Sequence, residues 1–187
     1  MSTIYSRIVT VRIVTFVMLF VFSPLVSLAA DEAPPKDKEA PAAKNLLKPT
    51  NDVESWVFEL NEKGNGEMTV DGDAIVFETT ETTGTDWHVQ AYQTGLALED
   101  GKRYVVRFKL QSPQEVTLLL VGQVHEPDWH EIDLHEEIQS TKEFKDYEFE
   151  FTARDTADDN NRLGFVLGID KGEVFVKDMT LLPKESQ

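Results

Sequence analysis

From Asn45 onward, apolar and polar residues alternate along the chain with a period of two. In segment 104–110, "YVVRFKL", the apolar side chains alternate with Arg107 and Lys109. In segment 147–151, "YEFEF", aromatic rings alternate with glutamates. Because successive side chains of a strand point to opposite faces of a sheet, this alternation predicts β-strands.

The same pattern, or a short apolar run bounded by turn residues, recurs along the whole segment. The predicted strands are 56–60, 66–70, 74–78, 88–93, 104–110, 115–123, 130–134, 146–153, 162–169 and 173–182. Gly-, Asp- and Pro-containing turns such as "VDGDA", "LEDGKR" and "QSPQE" separate them. No stretch shows a sustained helical period. Many short strands joined by turns predict an all-β fold, an antiparallel jelly-roll β-sandwich of two sheets.

The first 44 residues have a different composition. Segment 1–30 has two arginines, an apolar core at 13–22 and small residues before position 31, as a secretory signal peptide does. A retained membrane anchor is the alternative, although Pro24 interrupts the apolar run. Segment 31–44, "DEAPPKDKEAPAAK", reads as a disordered linker. We therefore expect a secreted or periplasmic protein with one domain at 45–187.

Charge narrows the choice of partners. Without segment 1–30, the chain has 16 basic and 34 acidic residues, a net charge of −18. Such a surface repels phosphate backbones, so nucleic acids and anionic membranes are poor candidates. Neutral ligands fit better than anionic ones.

The chemistry of the chain offers few enzymatic motifs. There is no cysteine, and no Gly-rich phosphate loop, G-x-S-x-G or H-E-x-x-H motif is present. Acids are numerous enough that a glycosidase-like pair is conceivable, but acids this common have little specificity. We expect the protein not to be an enzyme.

Metal binding is weakly indicated. His125, His130 and His135 recur every five residues, a spacing that matches no zinc motif. Acidic turns such as "VDGDA" have oxygen donors for calcium but are also ordinary turn sequences. No cofactor is expected to be required, and the presence of a metal stays open.

One strand has an unusual polar face. In "HVQAYQ", His88, Gln90 and Tyr92 share a face, while Val89 and Ala91 share the other. Amides and aromatic rings suit sugars, because rings stack on the C–H faces of a pyranose and amides bond to hydroxyls. The alternative is an exposed strand with incidental polar residues, and this segment alone does not decide between the two.

The order of segments resembles the carbohydrate-binding modules of families 4 and 9, the CenC-type, galactose-binding-like jelly rolls. The matching segments are "NLLKPT…ESW" (45–56), "WHVQAYQTGLALEDGKRYVVRFKLQS" (87–112), "FKDYEFEFTARDTADDNNRLGFVLG" (144–168) and "GEVFVKDMTLL" (172–182). The resemblance covers nearly all of 45–183. It implies a sandwich whose concave face forms a groove for a glycan.

The resemblance also implies which residues bind the ligand. They are His88, Gln90, Tyr92, Arg107, Gln123 and Trp129. Arg162 matches an arginine of the family, with a structural pairing to an acid as the alternative.

Two departures from the family limit the inference. Lys177 replaces an aspartate that helps to hold calcium in many relatives, and Val166 stands where a polar groove residue is common. By strand alternation, Trp87 points to the same face as Val89, which predicts a place in the core or at the groove rim. Trp56 is predicted to be a core residue.

Together these observations predict an exported, monomeric, non-catalytic protein that binds a neutral oligo- or polysaccharide by stacking and hydrogen bonds. The alternative is a structural or protein-interaction sandwich that does not bind sugar.

Overall fold

The computed structural model describes residues 43–184. Ten β-strands account for most of them, and two short 3-10 turns lie at Val53–Ser55 and Asp86–His88. The strands are β1 (Val57–Leu60), β2 (Asn65–Asp71), β3 (Ala74–Glu81), β4 (Val89–Leu96), β5 (Arg103–Gln111), β6 (Thr117–Val124), β7 (Glu131–Gln139), β8 (Lys145–Thr152), β9 (Asn161–Val166) and β10 (Gly172–Pro183).

The strands form two antiparallel sheets of five strands each. Sheet A has the order β1-β4-β9-β6-β7, and sheet B has the order β2-β3-β10-β5-β8. Strands that are adjacent in a sheet are often distant in the sequence, as expected for a sandwich with crossing connections. The prediction of an all-β sandwich of two antiparallel sheets is confirmed.

Apolar side chains from the inner faces of both sheets form one core. Phe165 of sheet A contacts Phe108 of sheet B edge to face, with ring centroids 5.4 Å apart. Trp56 packs on Phe77 at 5.2 Å and donates its indole N–H to the Thr50 carbonyl oxygen at 2.9 Å. Trp56 is buried, so its predicted place in the core is correct. Rigid packing of this kind holds the outer faces of both sheets in place.

Two local irregularities interrupt the alternation from which the sequence predicts the face of the sheet that each side chain occupies. A 3-10 turn at Asp86–His88 precedes β4, so His88 is not a strand residue. Asp133 has a positive φ of 67°, and the pairing of β6 with β7 shifts register beside it. Strand β7 also extends to Gln139, five residues beyond its predicted end. Strand alternation therefore does not predict which face the side chains of His88 and His130 occupy.

The predicted signal peptide at 1–30 and nearly all of the predicted linker at 31–44 lie outside the described residues, and both stay predictions. The first residue with long-range hydrogen bonds in the described part is Asn45, whose side-chain oxygen accepts from the Leu181 N–H at 2.8 Å. No helix within residues 43–184 is long and apolar enough to cross a membrane.

Candidate functional site

A cleft of about 520 Å³ lies on the outer face of sheet A. Its position follows from strand register, because residues directly opposite each other on neighbouring strands share a face. Glu59 of β1 is opposite Gln90 of β4, and Gln90 is opposite Val166 of β9. The cleft is lined by Glu59, Asn61, Trp87, Gln90, Gln123, Trp129, Arg162 and Val166. A mixed set of aromatic, amide and charged groups therefore faces the same space.

The guanidinium of Arg162 organises the floor of this cleft. It donates to Gln123 Oε1 from Nη2 at 2.7 Å and from Nε at 3.1 Å, and to Gln90 Oε1 at 3.3 Å. Its carbon lies 4.4 Å from the ring centroid of Tyr92, a cation–π contact. Its side chain is only 6 % exposed. Arg162 thus fixes the rotamers of two amides and rests on a phenol ring.

Glu59 forms the second part of the polar floor. It accepts from the Tyr92 hydroxyl at 2.6 Å and from the Asn61 amide at 2.8 Å, and it lies 3.9 Å from Arg162. Partial burial raises the pKa of Glu59, but these two hydrogen bonds and the arginine charge outweigh it and leave the pKa below its ordinary value. Glu59 is therefore a carboxylate at neutral pH.

The same contact keeps Tyr92 neutral. Burial, followed by the hydrogen bond to the Glu59 carboxylate, raises the pKa of Tyr92 to about 12. Tyr92 is 5 % exposed, and Arg162 and Glu59 both contact its ring or hydroxyl. Tyr92 contacts the floor residues Arg162 and Glu59 and does not itself line the cleft.

Two exposed indoles stand at the cleft. Trp87 lies in the 3-10 turn before β4 and is 51 % exposed, and Trp129 lies in the loop between β6 and β7 and is 48 % exposed. Single exposed apolar residues are common, but two exposed indoles that border one concave cleft are a feature of binding sites. An aromatic surface is thus available beside the amides of the floor.

The structure brings together three of the six predicted site residues. Gln90, Gln123 and Trp129 line the cleft. Tyr92 contacts Arg162 and Glu59 of its floor without lining it. His88 lies beside it: its ring contacts the Trp87 indole at a centroid distance of 4.2 Å, and its Nδ1 bonds to the Thr83 hydroxyl at 2.6 Å.

Arg107 requires a correction, because it does not share a groove with the other predicted residues. It belongs to β5 of sheet B and pairs with Glu148 of β8 on the opposite side of the sandwich. Strand alternation correctly predicts that Arg107 points away from the core. It does not indicate which of the two sheets carries the residue, so it could not place Arg107 relative to the cleft of sheet A.

Two residues of the cleft, Glu59 and Asn61, were not predicted. Both belong to β1 or the turn after it, an edge strand of only four residues with no distinctive motif. Trp87 was assigned to the core or the rim, and it lies at the rim because the 3-10 turn breaks the strand parity. Val166 occupies the cleft as the family pattern implies.

One of the acidic turns that have oxygen donors for calcium lies next to Lys177. The described residues contain no cluster of three or more His, Asp or Glu side chains with the geometry of a metal site. Lys177 lies with its Nζ 3.3 Å from Asp73 Oδ2 and 4.3 Å from the ring centroid of Phe144. Asp73 of the "VDGDA" turn is thus paired with an ammonium group.

Comparison with known proteins decides the family. The family model CBM_4_9, described as "Carbohydrate binding domain", matches residues 49–172. The chain belongs to this family. No curated protein sequence matches the chain significantly.

Solved structures agree on the fold. A structure described as "CBM4 structure and function" superposes with a TM-score of 0.65 at 17 % identity, covering 75 % of this chain and 95 % of that one. The N-terminal cellulose-binding domain of β-1,4-glucanase C from Cellulomonas fimi gives 0.56 at 18 % identity, covering 78 % and 100 %. The second such domain of that enzyme gives 0.59 at 15 %, covering 78 % and 97 %. These carbohydrate-binding modules share the two-sheet architecture of this family member.

Proposed function

We propose that this carbohydrate-binding domain is an exported, non-catalytic and monomeric protein that holds a neutral oligo- or polysaccharide in the cleft of sheet A. The observation that carries the proposal is the convergence of two exposed indoles with an ordered arginine–glutamine floor in one cleft. Export rests on the sequence of segment 1–30. No cofactor is required for this function.

The indoles of Trp87 and Trp129 supply apolar surface for the C–H faces of sugar rings. Each ring is about half exposed, so stacking on it removes apolar area from water. Rigid aromatic side chains lose little conformational freedom on binding, which favours affinity. Stacking on these two rings therefore supplies the larger part of the binding energy.

The polar floor of the cleft orients the ligand through hydrogen bonds. Arg162 donates to the side-chain oxygens of Gln90 and Gln123, and no residue within 43–184 accepts a hydrogen bond from their amide nitrogens. These amide N–H groups are the donors for ligand hydroxyls, and the Glu59 carboxylate is an acceptor. Because the guanidinium holds both amides in place, a ligand meets them already oriented.

The charges in the cleft favour a neutral ligand. Among the described residues of the lining, Arg162 is the cation, and its partners are two glutamines, Glu59 and the Tyr92 ring. A uronate carboxylate would meet the Glu59 carboxylate without an unpaired cation to compensate, and the net charge of the chain is also strongly negative. Like charges at short range penalise such a ligand.

The lining does not favour hydrolysis. Glycosidases generally place two carboxyl groups about 5 to 10 Å apart on either side of the scissile bond. Among the described residues that line the cleft, Glu59 is the single acid, and its hydrogen bonds hold it ionised, unlike a general acid. Binding without turnover is the function that this arrangement supports.

Affinity electrophoresis tests the proposal. The wild-type chain runs through gels with hydroxyethylcellulose, mixed-linkage β-glucan, xylan or galactomannan, and through gels with pectate as the acidic comparison. At least one neutral polysaccharide should retard the wild type and Arg107→Ala equally. Gln90→Ala should be retarded less, because it lacks one oriented amide. Mobility unaffected by any glycan would refute the function, whereas equal retardation of Gln90→Ala would refute only the placement of the site.

A further inference from the structure

The loop that presents Trp129 is attached to a neighbouring loop by specific hydrogen bonds. We define the Trp129 loop as 125–130 and the neighbouring loop as 153–160. The His125 N–H donates to the Asn160 carbonyl oxygen at 2.8 Å, and the Asn160 side-chain amide donates to the Glu126 carbonyl oxygen at 2.9 Å. The position of the Trp129 indole at the cleft therefore depends on contacts between the two loops.

His130 makes a further contact of this kind, and both of its ring nitrogens are engaged. Its Nδ1 lies 2.9 Å from Asp128 Oδ1 in its own loop, and its Nε2 lies 2.7 Å from the Asp155 carbonyl oxygen in the neighbouring loop. Both partners are acceptors. A neutral imidazole has one N–H and satisfies one of them, whereas an imidazolium donates to both. The geometry therefore fits the protonated ring.

We propose that His130 is a positioning residue that holds Trp129 at the cleft through its protonated ring, so that ligand affinity falls when the ring loses its proton. This inference rests on the proposed function, because it assumes that Trp129 contacts the ligand. The backbone adds a reason for such support. Trp129 adopts a left-handed φ of 53°, a conformation that non-glycine residues seldom take without stabilising contacts.

The charged groups around His130 agree with this assignment. The Asp155 carbonyl and the Asp128 carboxylate raise the pKa of His130 above its ordinary value, and the Asp155 carboxylate adds to the effect. Arg154, the adjacent cation of the neighbouring loop, is paired with Asp133 at 3.0 Å. Because the pKa is raised in the folded protein, the stabilisation of the loop is fully present below the ordinary histidine pKa. It is lost as the pH rises through the raised value.

NMR titration of the whole chain tests the proposal without any ligand. The ring resonances of His130 and the indole N–H resonance of Trp129 are followed from pH 5 to 9. We expect both to shift with one common midpoint above the ordinary histidine value of about 6.5. Asp128→Asn should lower that midpoint, and His130→Gln should abolish the Trp129 transition. His135→Gln is the matched control, since His135 pairs with Glu131 on β7, and the transition should persist in it.

A ligand experiment provides the second measurement. In gels with whichever of hydroxyethylcellulose, mixed-linkage β-glucan, xylan or galactomannan retards the wild type, its affinity should fall roughly two- to tenfold between pH 5.5 and pH 8.5, the loss expected when one aromatic side chain must be re-ordered on binding. The affinity of His130→Gln should be low at both pH values. A Trp129 resonance that does not follow His130, or that titrates unchanged in His130→Gln, would overturn the proposal. If the coupled titration is seen but no polysaccharide binds at any pH, the positioning role stands and the proposed function fails.

Discussion

Replacing Arg162 by methionine removes the group that organises the floor of the cleft. Methionine keeps much of the length of the side chain but has no charge and no donors. The substitution deletes two hydrogen bonds to Gln123 Oε1 and one to Gln90 Oε1, together with the contact on the Tyr92 ring. It also leaves Glu59 without the cation that lies 3.9 Å away.

The magnitude follows from burial. A hydrogen bond from a charged donor contributes about 1.5 to 3 kcal/mol, but Gln90 and Gln123 regain water at the open cleft. The cation–π contact adds about 1 kcal/mol. Glu59 is 36 % exposed, so solvent screens its pairing with Arg162 and we assign little to it. We expect a net loss of about 2 to 4 kcal/mol in the free energy of unfolding, slightly below the roughly 3 to 5 kcal/mol lost when one partner of a fully buried ion pair is removed.

Urea unfolding of both arginine variants measures this difference. Arg107→Met is the matched control, because Arg107 is 49 % exposed and pairs with Glu148, which is 53 % exposed. An exposed pair contributes about 0 to 1 kcal/mol, so the control should unfold close to the wild type. Equal losses for the two variants would refute the idea that Arg162 organises a buried network. So would a loss below about 1 kcal/mol for Arg162→Met.

Three further predictions concern the cleft and its support. Trp87→Ala and Trp129→Ala should each lower affinity for a binding polysaccharide about tenfold or more by calorimetry, and unchanged affinity would rule out stacking on that ring. Gly164→Ala should destabilise the domain by about 3 kcal/mol in urea, because a Cβ would lie 2.1 Å from the Ala91 carbonyl oxygen, and a wild-type midpoint would contradict this packing. Because the pKa of Glu59 is lowered, the stability advantage of wild type over Glu59→Gln should be present above about pH 4.5 and shrink as the pH falls through the lowered value. An advantage that does not change with pH would contradict this assignment.

The alternation of residues predicted the fold well because the core requires it. Phe108 and Leu110 face inward from β5 because every second side chain is apolar, and the same reasoning holds for Phe165 in β9. Burial of these residues is a local property of each strand, so it can be read from a short segment. The ten strands were located for this reason, with differences at their ends.

The candidate site was predicted less completely because it depends on sheet order. Gln90 and Arg107 both point outward from their strands, but they lie on opposite sides of the sandwich. Only the pairing of β1 with β4 brings Glu59 next to Gln90. Trp87 was predicted in the core or at the groove rim, and alternation alone could not choose between the two because a 3-10 turn follows different geometry from a strand. Alternation predicts which face of its own strand a side chain occupies, but it does not determine which strands become neighbours in a sheet.

The three tryptophans allow the most direct test of the claim that the cleft of sheet A binds a glycan. Trp87 and Trp129 stand exposed at the cleft, whereas Trp56 is buried and its indole N–H is bonded to Thr50. Their indole N–H resonances are recorded while a neutral oligosaccharide, cellohexaose or xylohexaose, is titrated into the protein. We predict that Trp87 and Trp129 shift along one saturation curve while Trp56 stays unchanged. Saturable binding that leaves both exposed indoles unshifted would contradict the account.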